Sequence, residues 1–247
     1  MSTSDLWDEA IAARYDDDES AMFAAAIVSP AVELLSELAG SGPALEFAIG
    51  TGRLGIPLLR RGVPTVGIDL SPGMLARLRD KIGERELPAV VGDMTTTRVP
   101  GEFRLVFLAF NSLSTLRTQA EQVACFRNAA RHLAVGGHFV VELFVPPLLR
   151  LVPGQTAVPF AVGEDHTGFD VIDVATQTGT SHHYTRLPDG AVRYHATNFR
   201  YIWPSECDLL AQLAGLGLVA RYADWDRSPF TADSAKHVSV WRKCPAD

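Results

Sequence analysis

A short apolar run, Ala44 to Ile49, leads straight into Gly50-Thr51-Gly52-Arg53-Leu54-Gly55, and apolar residues then recur at helical spacing as far as Arg61. A strand that turns through glycines into a helix is the opening of a βαβ unit. Glycine is needed there because the backbone must turn tightly and approach a ligand closely. The next apolar run, Thr65 to Leu70, places Asp69 where a carboxylate can accept hydrogen bonds from two ribose hydroxyls. This commits the region to a parallel sheet with a nucleotide-bearing ligand at the carboxyl ends of its strands.

The same alternation continues to about residue 145. Leu87 to Val91, Arg104 to Phe110, and His138 to Phe144 behind Gly136-Gly137 read as three further buried strands. Pro30 to Leu38, Gly52 to Arg61, Gly73 to Ile82 and Glu121 to Leu133 read as helices. Pro30 suits a first helical turn, and Ser71-Pro72 is an N-cap serine followed by proline. From residue 155 the pattern changes to period two, in Phe169 to Val174, Ser181 to Leu187 and Val192 to Trp203, with Asp189-Gly190 as a hairpin turn. Ser205 to Gly215 then reads as a helix, and Gly217 to Ala223 and His237 to Arg242 as the last strands. The expectation is a single α/β domain over residues 1–247, its sheet doubly wound, seven-stranded and mostly parallel. A helical cap (1–40) precedes the sheet, and an antiparallel β insertion (150–203) follows the fifth strand.

The glycine turn alone does not separate NAD from S-adenosylmethionine (SAM). Glu46 within the first strand favours SAM, because a buried carboxylate needs a partner and SAM carries a cationic amino-acid end. Gly92-Asp93-Met94 after the third strand adds a carboxylate for an adenine amino group and a thioether to pack on the ring. The run Glu46-Phe-Ala48-Ile-Gly50-Thr-Gly52 resembles the first motif of class I SAM-dependent methyltransferases. Gly67-Ile-Asp69-Leu-Ser71-Pro-Gly-Met74 is similar to their second motif, and Gly92-Asp93-Met94 to their third. Phe107 to Asn111 resembles their fourth-strand edge, and Leu133 to Val140 their fifth-strand entry. Ala48 stands where the family usually has its first glycine.

The resemblance implies a Rossmann-like fold, SAM as cofactor and S-adenosylhomocysteine (SAH) as product. It places Glu46, Ala48, Gly50 and Gly52 along the methionine moiety and Asp69 on the ribose, with Leu70 beside it. It places Met74, Asp93 and Met94 around the adenine, and Ala109, Phe110 and Asn111 beside the reaction centre. Tyr15 resembles an N-terminal tyrosine that reaches the cofactor carboxylate in small-molecule and aminosugar enzymes. The implied reaction is methyl transfer to nitrogen or oxygen of a small molecule, in the manner of natural-product enzymes. A non-catalytic SAM-binding protein and an NAD-dependent oxidoreductase are the competing readings.

A sulfonium methyl donor needs alignment above all, and an oxygen acceptor also needs a base, most often histidine. Candidates are His182, His183, His195 and Tyr201 on the insertion strands, with His237 further on. Adjacent His182 and His183 must face opposite ways on a regular strand. The same strands equally suit a homodimer interface. His132 and His138 read as structural.

The net charge of −7 and the lack of a basic stripe argue against nucleic acid and anionic membranes. The densest charge run, Asp16-Asp17-Asp18-Glu19, reads as a solvated helix end. Three scattered cysteines suggest neither disulfides nor a metal site and fit the cytoplasm. No signal peptide and no run long enough to span a bilayer are visible.

Overall fold

The computed structural model describes residues 9–148 and 151–245. The first eight residues of the expected cap, residue 150 at the start of the expected insertion, and residues 149, 246 and 247 lie outside the described residues. The first five strands are β1 (Ala44–Phe47), β2 (Thr65–Asp69), β3 (Ala89–Val91), β4 (Phe103–Leu108) and β5 (Leu133–Phe144). The insertion forms a separate antiparallel sheet of β6 (Ala157–Val162), β7 (His166–Asp173), β8 (Thr178–Arg186) and β9 (Val192–Arg200). The chain then returns to the first sheet with β10 (Leu216–Tyr222) and β11 (Lys236–Lys243). That sheet has seven strands in the order β10-β11-β5-β4-β1-β2-β3, with β11 antiparallel to both neighbours. Strand order reverses between β1 and β4, and a ligand crevice opens at such a point.

Helices cover both faces. They are α1 (Glu9–Ala12), α2 (Tyr15–Asp18), α3 (Ala25–Ala39), α4 (Gly55–Arg60), α5 (Pro72–Lys81), α6 (Gln119–His132) and α7 (Pro204–Leu213). Alternation along β4 divides the core. Leu105 and Phe107 pack toward α3 and α4, while Val106 and Leu108 pack toward α6 and α7. On the second side, Trp241 is fully buried against Phe126 and Phe139 and donates its Nε1–H to Asp208. His132 ties α6 to the segment after β3: Val99 N–H donates to its Nε2, so its Nδ1–H donates to Asn128 O. His138 Nδ1 lies 3.3 Å from Leu38 O and joins β5 to α3.

Four local expectations are corrected. Pro30 does not open its helix, which begins five residues earlier at Ala25. The proline forfeits one intrahelical bond, and burial of Val28, Ala31, Val32, Leu34 and Leu35 overrides that loss. The helix expected from Gly52 starts at Gly55, because the turn occupies the intervening residues. β5 runs through Gly136-Gly137 instead of starting after them, with Gly136 at φ 77° and an irregular β4–β5 register there. The insertion has one strand more than expected: β6 contains Pro159 and lies at a sheet edge, where proline is tolerated and alternation is not enforced.

β1 ends because Ala48 turns to φ 53°, a left-handed conformation that costs an L-residue roughly 1–2 kcal/mol. Ala48→Gly should therefore raise stability by about 1 kcal/mol, after the entropy cost of the glycine. Thermal unfolding of the two proteins measures this, and an unchanged or lowered midpoint would show that the strain is absorbed elsewhere.

Candidate active site

The glycine turn is held by the carboxylate of Asp69 at the end of β2. Gly50 N–H donates to its Oδ2 (2.7 Å) and Ser71 N–H to its Oδ1 (2.8 Å). Burial raises the Asp69 pKa, and these two backbone bonds oppose the rise. Ser71 in turn caps α5 by accepting from Met74 N–H (3.2 Å). Gly52, at φ 87°, points into the core, where a Cβ would fall 2.5 Å from Leu78 Cδ1.

The acidic run is not merely a solvated helix end. Asp16 accepts from Thr51 Oγ1 (2.6 Å) and pairs with Lys81, whose Nζ also donates to Thr51 O (3.0 Å). Asp18 takes a bond from Arg193 of β9 (3.2 Å). The run thus joins the glycine turn, the end of α5 and the insertion.

Past β4 the backbone stays left-handed for two residues, Phe110 (φ 51°) and Asn111 (φ 61°). Both are held from β5. Phe110 N–H donates to Glu142 Oε2 (2.9 Å), and Asn111 N–H donates to Glu142 O (3.2 Å). Asn111 Oδ1 accepts from Phe144 N–H (3.2 Å), so its side chain serves as a tie to β5.

Glu46 is buried, and its Oε2 has no hydrogen-bond partner among the described residues. Burial pushes its carboxyl well above the usual range; Arg53 opposes the shift and Asp69 adds to it. Glycine at position 55 gives this carboxylate room, since a Cβ there would lie 2.7 Å from Glu46 Oε2. The Arg53 guanidinium also sits 5.2 Å over the Phe110 ring. Tyr15 comes down from α2 onto the site, and burial pushes its phenol up to about 12, with Arg53 opposing.

These groups surround a cavity of about 760 Å³ at the carboxyl ends of the strands. Tyr15, Glu46, Ala48, Gly50, Asp69, Leu70, Met74, Asp93, Met94, Ala109 and Phe110 line it, whereas Gly52 and Asn111 support it from behind. Asp93 Oδ1 accepts from Thr95 N–H and Oγ1, both at 2.7 Å. Of the base candidates, His195 lines the cavity, beside Thr197 and Asn198 of the same strand. Its Nε2 lies 2.9 Å from Thr197 Oγ1. His182 and His183 do face opposite ways: His182 stacks on Phe169, and His183 stacks on His166. Neither they nor Tyr201 lines the cavity. His237 is fully buried against Ser239, its pKa pushed down to about 4 by burial, and lies off the cavity.

Sequence reasoning passed over Arg53, Arg117 and Glu142. Glu142 carries the signal that singled out Glu46, a carboxylate inside an apolar strand. Arg53 occupies a variable position of the glycine motif, and Arg117 lies in a loop with no pattern at all.

Residues 44–137 match the methyltransferase domain family. The CcbJ methyltransferase of Streptomyces caelestis is 35% identical, superposes with a TM-score of 0.79, and is matched over 87% of this chain and 89% of its own. The cypemycin N-terminal methyltransferase of a Streptomyces species is 26% identical over 248 residues, covering 97% of this chain and 98% of that protein. The dTDP-3-amino-3,4,6-trideoxy-alpha-D-glucopyranose N,N-dimethyltransferase of Streptomyces venezuelae is 34% identical over 98 residues, 40% of each chain. The chain belongs to the class I SAM-dependent methyltransferases. It is an enzyme of that class, with SAM as methyl donor and SAH as product.

The site fits that cofactor. The unpartnered Glu46 Oε2 and the exposed edge of the Gly50 turn suit the cationic amino-acid end, and Asp69 and Asp93 suit ribose and adenine. Glu46→Gln should separate two effects. A carboxyl with a raised folded-state pKa gives stability that is present below about pH 4.5 and lost as pH rises through its folded value. At pH 8 the ligand-free variant should thus be more stable than the parent by about 1–2 kcal/mol. SAH should bind it roughly 10- to 100-fold more weakly, and the rise of affinity with pH should disappear. Denaturation and calorimetric titration across pH test both arms; unchanged SAH affinity would remove Glu46 from the cofactor site.

Proposed function

We propose that the enzyme methylates an amine nitrogen of a small molecule in natural-product biosynthesis. The observation that carries this is the reach of the cavity, which continues from the cofactor turns to His195, Thr197 and Asn198 of the insertion. A pocket of this size has room for a drug-sized ligand. Its described lining holds the carboxylates of Glu9, Glu46, Asp69, Asp93 and Glu121 against the cations of Arg53 and Arg117. The relatives whose names specify an acceptor support nitrogen: one modifies a peptide N-terminus and the other an aminosugar.

Bound SAM supplies a methyl group already activated on its sulfonium. The protein's own contribution is positioning and proton removal. Ala109 and Phe110, fixed by Glu142, form a rigid rim at the end of β4. His195 takes the proton of the acceptor ammonium, its ring oriented by Thr197. Tyr15 stays a protonated phenol at working pH and closes the cofactor end. The insertion (150–203) roofs the acceptor, in a single domain with the sheet beneath it. The three cysteines are free, which supports a reducing cytoplasm. No helix of the described residues is long and apolar enough to cross a membrane.

His195→Gln should lower kcat by about 10²- to 10³-fold and leave SAH affinity unchanged. Mass spectrometry should locate the new methyl on nitrogen. A variant with full kcat, or a methyl found on oxygen, would overturn the assignment.

A further inference from the structure

The cofactor cavity does not end at the insertion. A second, open trough of about 630 Å³ adjoins it, and Arg117 and Asn198 line both. The trough runs across one face of the insertion sheet, where Val171, Thr180 and Asn198 stand side by side in register. Thr180 Oγ1 donates to Asn198 Oδ1 (2.8 Å). Gln155, Thr156 and Thr178 add further neutral hydrogen-bonding groups. The charges in its described lining are one cation, Arg117, and one anion, Asp173.

Two to four residues further along these strands, on the same face, the surface becomes aromatic. Phe169 stacks on His182 (5.0 Å between ring centroids), and Tyr184 meets Tyr194 (5.0 Å). Tyr194 OH lies 2.8 Å from His182 Nδ1, which fixes the rings as one platform. Tyr184 and Tyr194 are exposed, at 39% and 53%. Contiguous exposed aromatic surface marks a binding face. Hydroxyls and amides beside flat aromatic rings suit a hydroxylated ring, whose C–H face lies on the aromatics while its hydroxyls bond at the edge.

Resting on the amine reading above, we infer that the acceptor is a two-part glycoside. Its amine-bearing unit lies in the cofactor cavity. Its second, uncharged hydroxylated ring lies in the trough and on the platform. A sugar carrying a nucleoside diphosphate is a poor fit, since the trough offers one arginine opposed by an aspartate.

Calorimetry on the SAH-saturated full chain tests this with three probes: D-glucosamine, its β-1,4-linked dimer with the reducing-end amine acetylated and the other free, and UDP-glucosamine. The dimer should bind roughly tenfold or more tightly than the monomer, and UDP-glucosamine no more tightly than the monomer. Tyr194→Ala and Thr180→Trp should each erase most of that gain without changing SAH or monomer affinity. A dimer that binds no better than the monomer, a gain that survives both variants, or preferential binding of UDP-glucosamine would overturn the inference. So would light scattering that shows a dimer of this chain dissociated by Tyr194→Ala, because the platform would then be a subunit interface. Incubation with SAM separates the two readings: a binding gain with methyl transfer to oxygen defeats the amine assignment and leaves the trough standing.

Discussion

The carboxylate of Asp69 holds together the two turns that floor the cavity, giving one oxygen to Gly50 N–H and the other to Ser71 N–H. The rest of the site is built outward from that tie. Ser71 caps α5, and Lys81 at the far end of α5 returns to Thr51 of the glycine turn. Thr51 holds Asp16, which brings α2 and Tyr15 onto the site. A closed circuit of this kind shares its rigidity, because no member can move without breaking a bond to the next. It also means that any ligand hydroxyl reaching Asp69 meets a carboxylate whose oxygens already accept backbone bonds. The carboxylate that lines the cavity and the shape of the turn are therefore a single property of the fold.

The buried carboxylates divide the remaining work by how well they are satisfied. Glu142 is fully engaged, accepting from Phe110 N–H and pairing with Lys236, and it fixes the rim beside the reaction centre. Glu46 keeps an oxygen without a partner, which is costly in the absence of a cation and favourable in its presence. The first is satisfied within the protein and the second is not, although both look alike in the sequence. Stability given up at a ligand site in this way is a common feature of functional sites.

How much was legible follows from this. Strand and helix order, the cofactor-facing turns and the placement of Tyr15, Asp69, Met74 and Asp93 on the cavity could be read because each depends on local pattern or motif spacing. Pro30 misled because burial of one helix face outweighed a local rule, and β6 was missed because edge strands carry no alternation. The aspartate run looked solvated because its partners, Thr51, Lys81 and Arg193, lie far away in the chain. Among the insertion histidines, alternation predicted that His182 and His183 diverge. It gave no means of choosing His195, whose place on the cavity depends on how the whole second sheet docks.

That docking rests on β9. Arg200 at its end is buried and bonds Gln122 of α6 (2.6 Å), Gln177 and Glu206 of α7, which roots the insertion in the core. Arg193 at its start meets Asp18 of α2, so the strand touches the segment that brings Tyr15 to the cavity. Between these anchors His195 and Thr197 border the cavity, and Asn198 stands where cavity and trough meet. A methyltransferase must shield the reacting carbon from water and still admit an acceptor. β9 is fixed at one end in the core and meets α2 at the other through an exposed ion pair that contributes little on its own. The buried end preserves the register that places His195 on the cavity.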